Sequence, residues 1–353
     1  MISKNFKLLV AAALIFSLGA CSSKSGESSS GELHLYNWTD YIDPAELDRF
    51  SEETGIEVIL DTFDSNETLL AKLQSGSTGY DVIVPSDYMV QQMIELNLLQ
   101  DIGVKDFANA KNIKPEALNV PFDVGRNYTA PYMYGTTGII CNPVAEPRCN
   151  DIKSWKDFFT FNLDKTDAMK DQVEVVSSAL RAVGVPAADL CTTDKSKYLA
   201  AQELLAGFKP DVIESDGSIE RVIGGISNVR QNWNGDSHRM KMENPDLIYI
   251  YPSDGLNLWS DHFAVPVGAP NLENAKIFIN WMMDPKNIAM ETNFTGYDNS
   301  IIGSNEFFDQ ALKDDPAVNV PVEYQSLISP IPNCGQEARE LYTEVFTTWT
   351  TEQ

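Results

Sequence analysis

Three short segments of this chain set an indole beside a carboxylate: Trp38-Thr39-Asp40-Tyr41, Trp233-Asn234-Gly235-Asp236 and Trp259-Ser260-Asp261. Each joins a flat apolar face to a negative charge within three residues, at a predicted turn or strand end. A fourth pair, Asp171 and Glu174, has i,i+3 spacing at the start of a predicted helix, which brings the Cβ atoms to about 5–6 Å. Taken alone, that pair is also what the positive end of a helix attracts. Together the four segments suit a flexible alkyl chain that carries two or three ammonium groups. Ammonium ends need carboxylates, which are strong partners in a water-poor site when geometry is good. Methylenes need flat hydrocarbon walls, and indole and phenol faces also attract cations. An amino-acid site would need an arginine for the α-carboxylate, and these segments contain none. A sugar site would combine aromatics with neutral amides and fewer acids.

The motifs of hydrolytic and phosphate chemistry are missing from the chain. Gly76-Ser77-Thr78-Gly79 lacks the spacing of a nucleophile elbow, there is no HExxH, and no Gly-rich phosphate loop follows a strand. His34, His238 and His262 are scattered, and His34 falls in a predicted strand. The cysteines show no zinc spacing. The chain therefore reads as a binding protein and not as a secreted hydrolase, with no cofactor and no metal.

The elements that must position these residues alternate regularly. Glu32 to Tyr36 reads as a strand. Asp43-Pro44 is an N-cap and N1 pair, Leu47 and Phe50 share a face, and Gly55 stops the helix. Ile56 to Phe63 is a second strand, and Ser65 or Asn66 opens a helix containing Leu69, Leu70 and Leu73. Tyr80 to Pro85 is a buried strand, and Tyr88 to Leu99 a further helix. Strand–helix–strand–helix–strand implies parallel pairing with right-handed crossovers, hence an α/β lobe. Ligands of such sheets sit at the carboxyl ends of the strands, here Asn37 to Tyr41 and Ser86-Asp87-Tyr88. Further on, Val173–Val183, Tyr198–Phe208 and Asn271–Met283 read as helices, and Leu247–Tyr251 and Phe263–Val267 as strands.

Residues 1–20 read as a signal peptide, with Lys4 and Lys7 before an apolar core too short to span a bilayer. Leu18-Gly19-Ala20-Cys21 has the form of a bacterial lipobox, with Cys21 as the lipidated residue. Residues 21–31 then form a Ser/Gly tether with nothing apolar to bury. The remaining three hundred or so residues suffice for two cores. A formal charge of −25 makes nucleic acid a poor partner; it would suit a cationic ligand, although on charge alone plain solubility is the simpler account. Cys141, Cys149, Cys191 and Cys334 remain for disulfides in an exported protein, and four cysteines allow three pairings. Cys141 with Cys149 and Cys191 with Cys334 is one of the three.

Tyr36-Asn37-Trp38-Thr39-Asp40-Tyr41, Glu53-Thr54-Gly55-Ile56, Asp64-Ser65-Asn66-Glu67-Thr68 and Tyr80-Asp81-Val82-Ile83-Val84-Pro85-Ser86 strongly resemble the spermidine/putrescine-binding proteins of polyamine ABC importers. Islands at Asp171-x-x-Glu174, Trp233-Asn234-Gly235, Trp259-Ser260-Asp261 and Gly296-Tyr297 extend the likeness over nearly the whole mature chain. The resemblance implies the α/β, two-lobed periplasmic binding protein fold, type II-like, with a ligand cleft between lobes joined by hinge strands. The lobes would comprise residues 32–137 with about 262–303, and 138–261 with about 304–353. It implies a monomer that takes up putrescine, spermidine or both and meets ABC permease subunits, with the lipid as membrane anchor. Some relatives in this family instead resemble polyamine sensors that dock on a membrane signalling protein. Carried over by motif, the ligand set is Trp38, Thr39, Asp40, Tyr41, Ser86, Tyr88, Asp171, Glu174, Trp233, Asp236, Trp259, Asp261 and Tyr297. Asp171-x-x-Glu174 resembles the spermidine type and Asp236 the putrescine type. The glutamine of the spermidine type has no clear match around Ser329 to Gly335.

Overall fold

A computed structural model describes residues 31–76, 79–331 and 333–353. The signal peptide, Cys21 and the tether as far as residue 30 lie outside the described residues. The first half begins with β1 (Gly31–Trp38), α1 (Pro44–Thr54), β2 (Ile56–Phe63), α2 (Asn66–Gln74), β3 (Val82–Ile83) and α3 (Asp87–Glu95). β1 pairs in parallel with both β2 and β3, as the alternation requires. Local signals set the boundaries: the Asp43 side chain accepts from the Ala45 N–H, and Gly55 takes a left-handed φ of 76°. α3 is shorter than expected. It ends at Glu95, and Asn97 turns the chain with a positive φ of 55°.

The second half repeats the theme around β4 (Thr129–Cys141), β5 (Thr166–Ala168), α4 (Gln172–Ala182), β6 (Val212–Ile213), β7 (Val229–Trp233) and α5 (Asn234–Glu243). There follow β8 (Ile248–Ile250), β9 (Leu256–Ala264), α6 (Leu272–Met282), α7 (Pro285–Thr295), β10 (Asp298–Asn299), β11 (Ile328–Pro330) and α8 (Gln336–Thr351). These eleven strands form one sheet whose main order is β2-β1-β3-β9-β4-β7-β5-β6, and among the described residues Asn119–Val120 and Asp123–Val124 form a separate two-stranded sheet. β8 and β10 pair with β4, and β11 pairs with β9.

The two long antiparallel strands β4 and β9 carry the chain between the halves. β4 has 13 residues, about 40 Å at strand rise. Among the described residues, the two largest of four buried clusters divide between the halves, as a two-lobed α/β architecture requires. One gathers Leu33, Leu35, Phe50, Val82, Phe263 and Phe278, and the other gathers Trp155, Phe158, Val176, Leu180, Val229 and Trp349. The cysteines pair as Cys141–Cys149 and Cys191–Cys334, and both bridges lie against the second core.

β9 corrects one expectation. Trp259-Ser260-Asp261 does not sit at a turn or strand end, and the strand expected from Phe263 begins at Leu256. The segment lies inside β9, where the register with β4 shifts between Ser260 and His262. A bulge of this kind bends a strand and re-aims a side chain.

Candidate ligand-binding cleft

A cleft of about 620 Å³ opens where the carboxyl ends of strands from both lobes converge. All thirteen residues expected in the ligand set line it. Trp38, Thr39, Asp40 and Tyr41 follow β1. Ser86 is the N-cap of α3, Asp171 that of α4 and Trp233 that of α5. The reason for this clustering is topological, because parallel strands feeding helices point their carboxyl ends the same way.

The bulge of β9 places Asp261 in the middle of the site, bridged to Ser86. Its carboxylate accepts from the Ser86 hydroxyl at 2.6 Å and the Tyr41 hydroxyl at 2.9 Å. Burial pushes the Asp261 carboxyl up to about 7, and the nearby Asp171 adds to the shift. Asp171 accepts from the Val173 and Glu174 amides, both at 2.9 Å on one oxygen. A bare helix N-terminus would favour an anion, but here Asp171 occupies that place and gives the cleft a negative charge instead. Glu174 is fully buried and accepts from the Asn257 amide at 2.8 Å. Burial raises both carboxyls, and the proximity of Asp171 raises Glu174 further.

Asp236 accepts from the Tyr297 hydroxyl at 3.0 Å, and burial raises its carboxyl also. Aromatic rings complete the walls. Trp38 and Trp233 meet edge to face across the lobes at 6.5 Å between centroids, as do Trp259 and Tyr297 at 5.0 Å. Tyr88 accepts from Asn66 at 2.9 Å, which in turn also donates to Ser86 at 3.0 Å.

Close packing of these rings depends on two glycines. A Cβ at Gly135 would lie 2.6 Å from the Trp259 ring and 2.3 Å from Asn234 Oδ1. A Cβ at Gly235 would lie 2.4 Å from the Tyr297 ring.

Three lining residues were not anticipated: Asp64, Asp216 and Ile331. The two aspartates follow the same rule as the rest, since Asp64 succeeds β2 and Asp216 lies just beyond β6. Ile331 follows β11 and had no local signal. Asp64 pairs with Lys170 of the other lobe at 3.1 Å. With these additions the cleft carries Asp40, Asp64, Asp171, Glu174, Asp216, Asp236 and Asp261, and no lysine, arginine or histidine is among its lining residues. Among the described residues there is no group of three or more acids, histidines or cysteines arranged to hold a metal. None of the described helices is long and apolar enough to cross a membrane.

The family profile described as "bacterial extracellular solute-binding protein" matches residues 46–320. The chain belongs to the bacterial extracellular solute-binding proteins. It is 33% identical to spermidine/putrescine-binding periplasmic protein 1 of Haemophilus influenzae, over 89% of this chain and 90% of that one. It is 29% identical to the putrescine-binding periplasmic protein SpuD of Pseudomonas aeruginosa, over 93% and 94%. Among solved structures, a putative spermidine/putrescine ABC transporter protein from Listeria monocytogenes superposes with a TM-score of 0.85. That match is 31% identical and covers 92% of this chain and all of the other. This solute-binding family consists of extracytoplasmic binding proteins, not enzymes.

Proposed function

We propose that this solute-binding protein captures a polyamine, putrescine or spermidine, and delivers it to an ABC importer. One observation carries the reading: seven carboxylates and a set of aromatic rings line a narrow cleft that no lysine, arginine or histidine lines. So many acids in a water-poor space cannot all ionise by themselves, and burial accordingly raises Asp171, Glu174, Asp236 and Asp261. A ligand with two or three ammonium groups replaces those protons. In this reading Asp261 holds one ammonium, and Asp171 with Glu174 holds another from the opposite lobe. Trp38, Trp233 and Trp259 wall the methylenes, and Tyr297 with Asp236 closes one side. Thr39, Asp40, Tyr41, Ser86 and Tyr88 complete the first lobe's contribution.

The names of the relatives favour delivery to a permease over docking on a membrane signalling protein. The lipid anchor at Cys21, the signal peptide before it and the monomeric state belong to the same proposal. So do the lobe boundaries at residues 32–137 with 262–303 and 138–261 with 304–353. The two largest cores follow that division for the most part, but Trp259 and Ile331, assigned to the second lobe, pack against the first core. Calorimetry of the full mature chain against putrescine, spermidine, norspermidine and spermine tests the ligand class. Tight, saturable binding of at least one is expected. Failure of all four, or preference for an amino acid or sugar, refutes the reading.

A further inference from the structure

A second cavity, of about 1230 Å³, adjoins the cleft between the lobes. Its first-lobe wall comes from α2 and α3, including Glu67, Leu70, Tyr88 and Met89. Its second-lobe wall comes from the start of α4 and from α8, including Gln172, Val173 and Arg339. Tyr88 lines both spaces, so it marks the partition between them. At that partition the Gln172 side chain reaches across the lobes and donates to Glu67 at 3.0 Å. Thr343 of α8 holds the Gln172 carbonyl from the other side, at 3.2 Å.

Glu67 has neutral partners where a charge would fit better. Its carboxylate receives the Gln172 amide, and the charges of Asp171 and Asp64 act against its ionisation. Burial and Asp171 push it up to about 7. Asp171 and Glu174 line the cleft and Glu67 lines the groove, so carboxyls stand on both sides of Tyr88. Beyond it Leu70, Met89 and Val173 offer an apolar wall suited to methylenes. The Arg339 guanidinium, which donates to the Cys334 carbonyl, sets the limit for a further cation.

We propose that this groove extends the ligand site. A polyamine longer than the cleft passes Tyr88 and places one more ammonium on Glu67, displacing the amide of Gln172. The inference rests on the polyamine reading and adds a length class to it: tetraamines are ligands, and Glu67 with Gln172 forms the gate that admits them. The ammonium–carboxylate contact replaces an amide–carboxylate contact, so the exchange puts a charged donor where a neutral one stood.

The test is calorimetry of the full mature chain with putrescine, spermidine and spermine, for the wild type, Glu67→Gln and Leu70→Trp. Glu67→Gln keeps size and removes charge, and Leu70→Trp fills the groove without touching the carboxylate. Each variant is expected to lower the ratio of spermine to putrescine affinity by roughly tenfold or more, the scale of losing one desolvated charge contact. Leu70→Trp keeps the test decisive if thermal melts show that Glu67→Gln is unfolded. A wild type that binds putrescine but excludes spermine overturns the extension and leaves the polyamine reading intact. So does a pair of folded variants that leave the affinity ratio unchanged. A wild type that binds none of the three overturns both.

Discussion

Replacing Asp261 by asparagine tests the electrostatics of the cleft most directly. The carboxylate is 5% exposed, and two hydroxyls donate to it, at 2.6 and 2.9 Å. Asparagine keeps the size and still offers one acceptor, so the local structure should survive. What disappears is the charge opposite a ligand ammonium in a space that holds little water. Truncating one member of such a pair costs about 2–5 kcal/mol. That corresponds to roughly thirtyfold to several-thousandfold in Kd. The pH dependence gives a second readout with a definite sign. With its carboxyl pushed up to about 7, Asp261 in the free protein holds a proton below that pH. An alkylammonium stays charged to about pH 10, so the cation must displace the Asp261 proton. Burial, with Asp171 beside it, pushes the Glu174 carboxyl up to about 8, so affinity should rise from pH 5.5 to about 8 and flatten above it, with up to about tenfold per pH unit for each proton released. Asp261→Asn should remove its share of that slope and leave the share of Glu174. Stability of the ligand-free protein should run the other way. A raised carboxyl pKa stabilises the folded state below the unfolded value of about 4, and this contribution is lost as pH rises through about 7. The assay is calorimetric titration with putrescine and spermidine at several pH values, with thermal melts as folding controls. A folded Asp261→Asn protein that binds both ligands like the wild type, with the same pH slope, would refute the assignment.

Gly135→Ala should weaken polyamine binding although Gly135 lines no part of the cleft, because its Cβ would displace the Trp259 ring and Asn234. Tryptophan fluorescence and calorimetry would show the loss, and unchanged affinity would mean that the indole is not a fitted wall. Replacing Cys191 and Cys334 together by alanine should lower stability by about 2–5 kcal/mol, since the bridge closes a loop across 143 positions. Denaturant melts that coincide with wild type would contradict this. Cys21→Ser should release the exported protein from the membrane fraction, and retention after high-salt washing would sink the anchor assignment. Small-angle scattering should show a more compact particle on adding spermidine if the ligand binds the closed arrangement better than the open one. An unchanged profile at saturation, from a free protein that scatters as the open form, would count against a cleft that closes.

Much of this protein could be read locally, because the signals were local. Asp43, Pro44 and Gly55 bound α1 through a cap bond, a preset φ and a left-handed turn, and none of these needs a distant partner. The indole–carboxylate segments were legible as candidate binding elements from residue type alone, and residues of all three line the cleft. The long strand β4 escaped notice for a physical reason. It is buried along nearly its whole length, so it lacks the alternation of a half-exposed strand. Asp261 was recognised by its chemistry but misplaced, since a bulge depends on how β9 pairs with β4. The choice among three disulfide pairings, the entry of Asp64, Asp216 and Ile331 into the cleft, and the contact of Gln172 with Glu67 all join residues far apart in the chain. Motifs thus pointed to a cationic ligand with an apolar stem. Only the packing of two lobes about shared strands decided which acids meet it, because no local preference encodes a contact between residues a hundred positions apart.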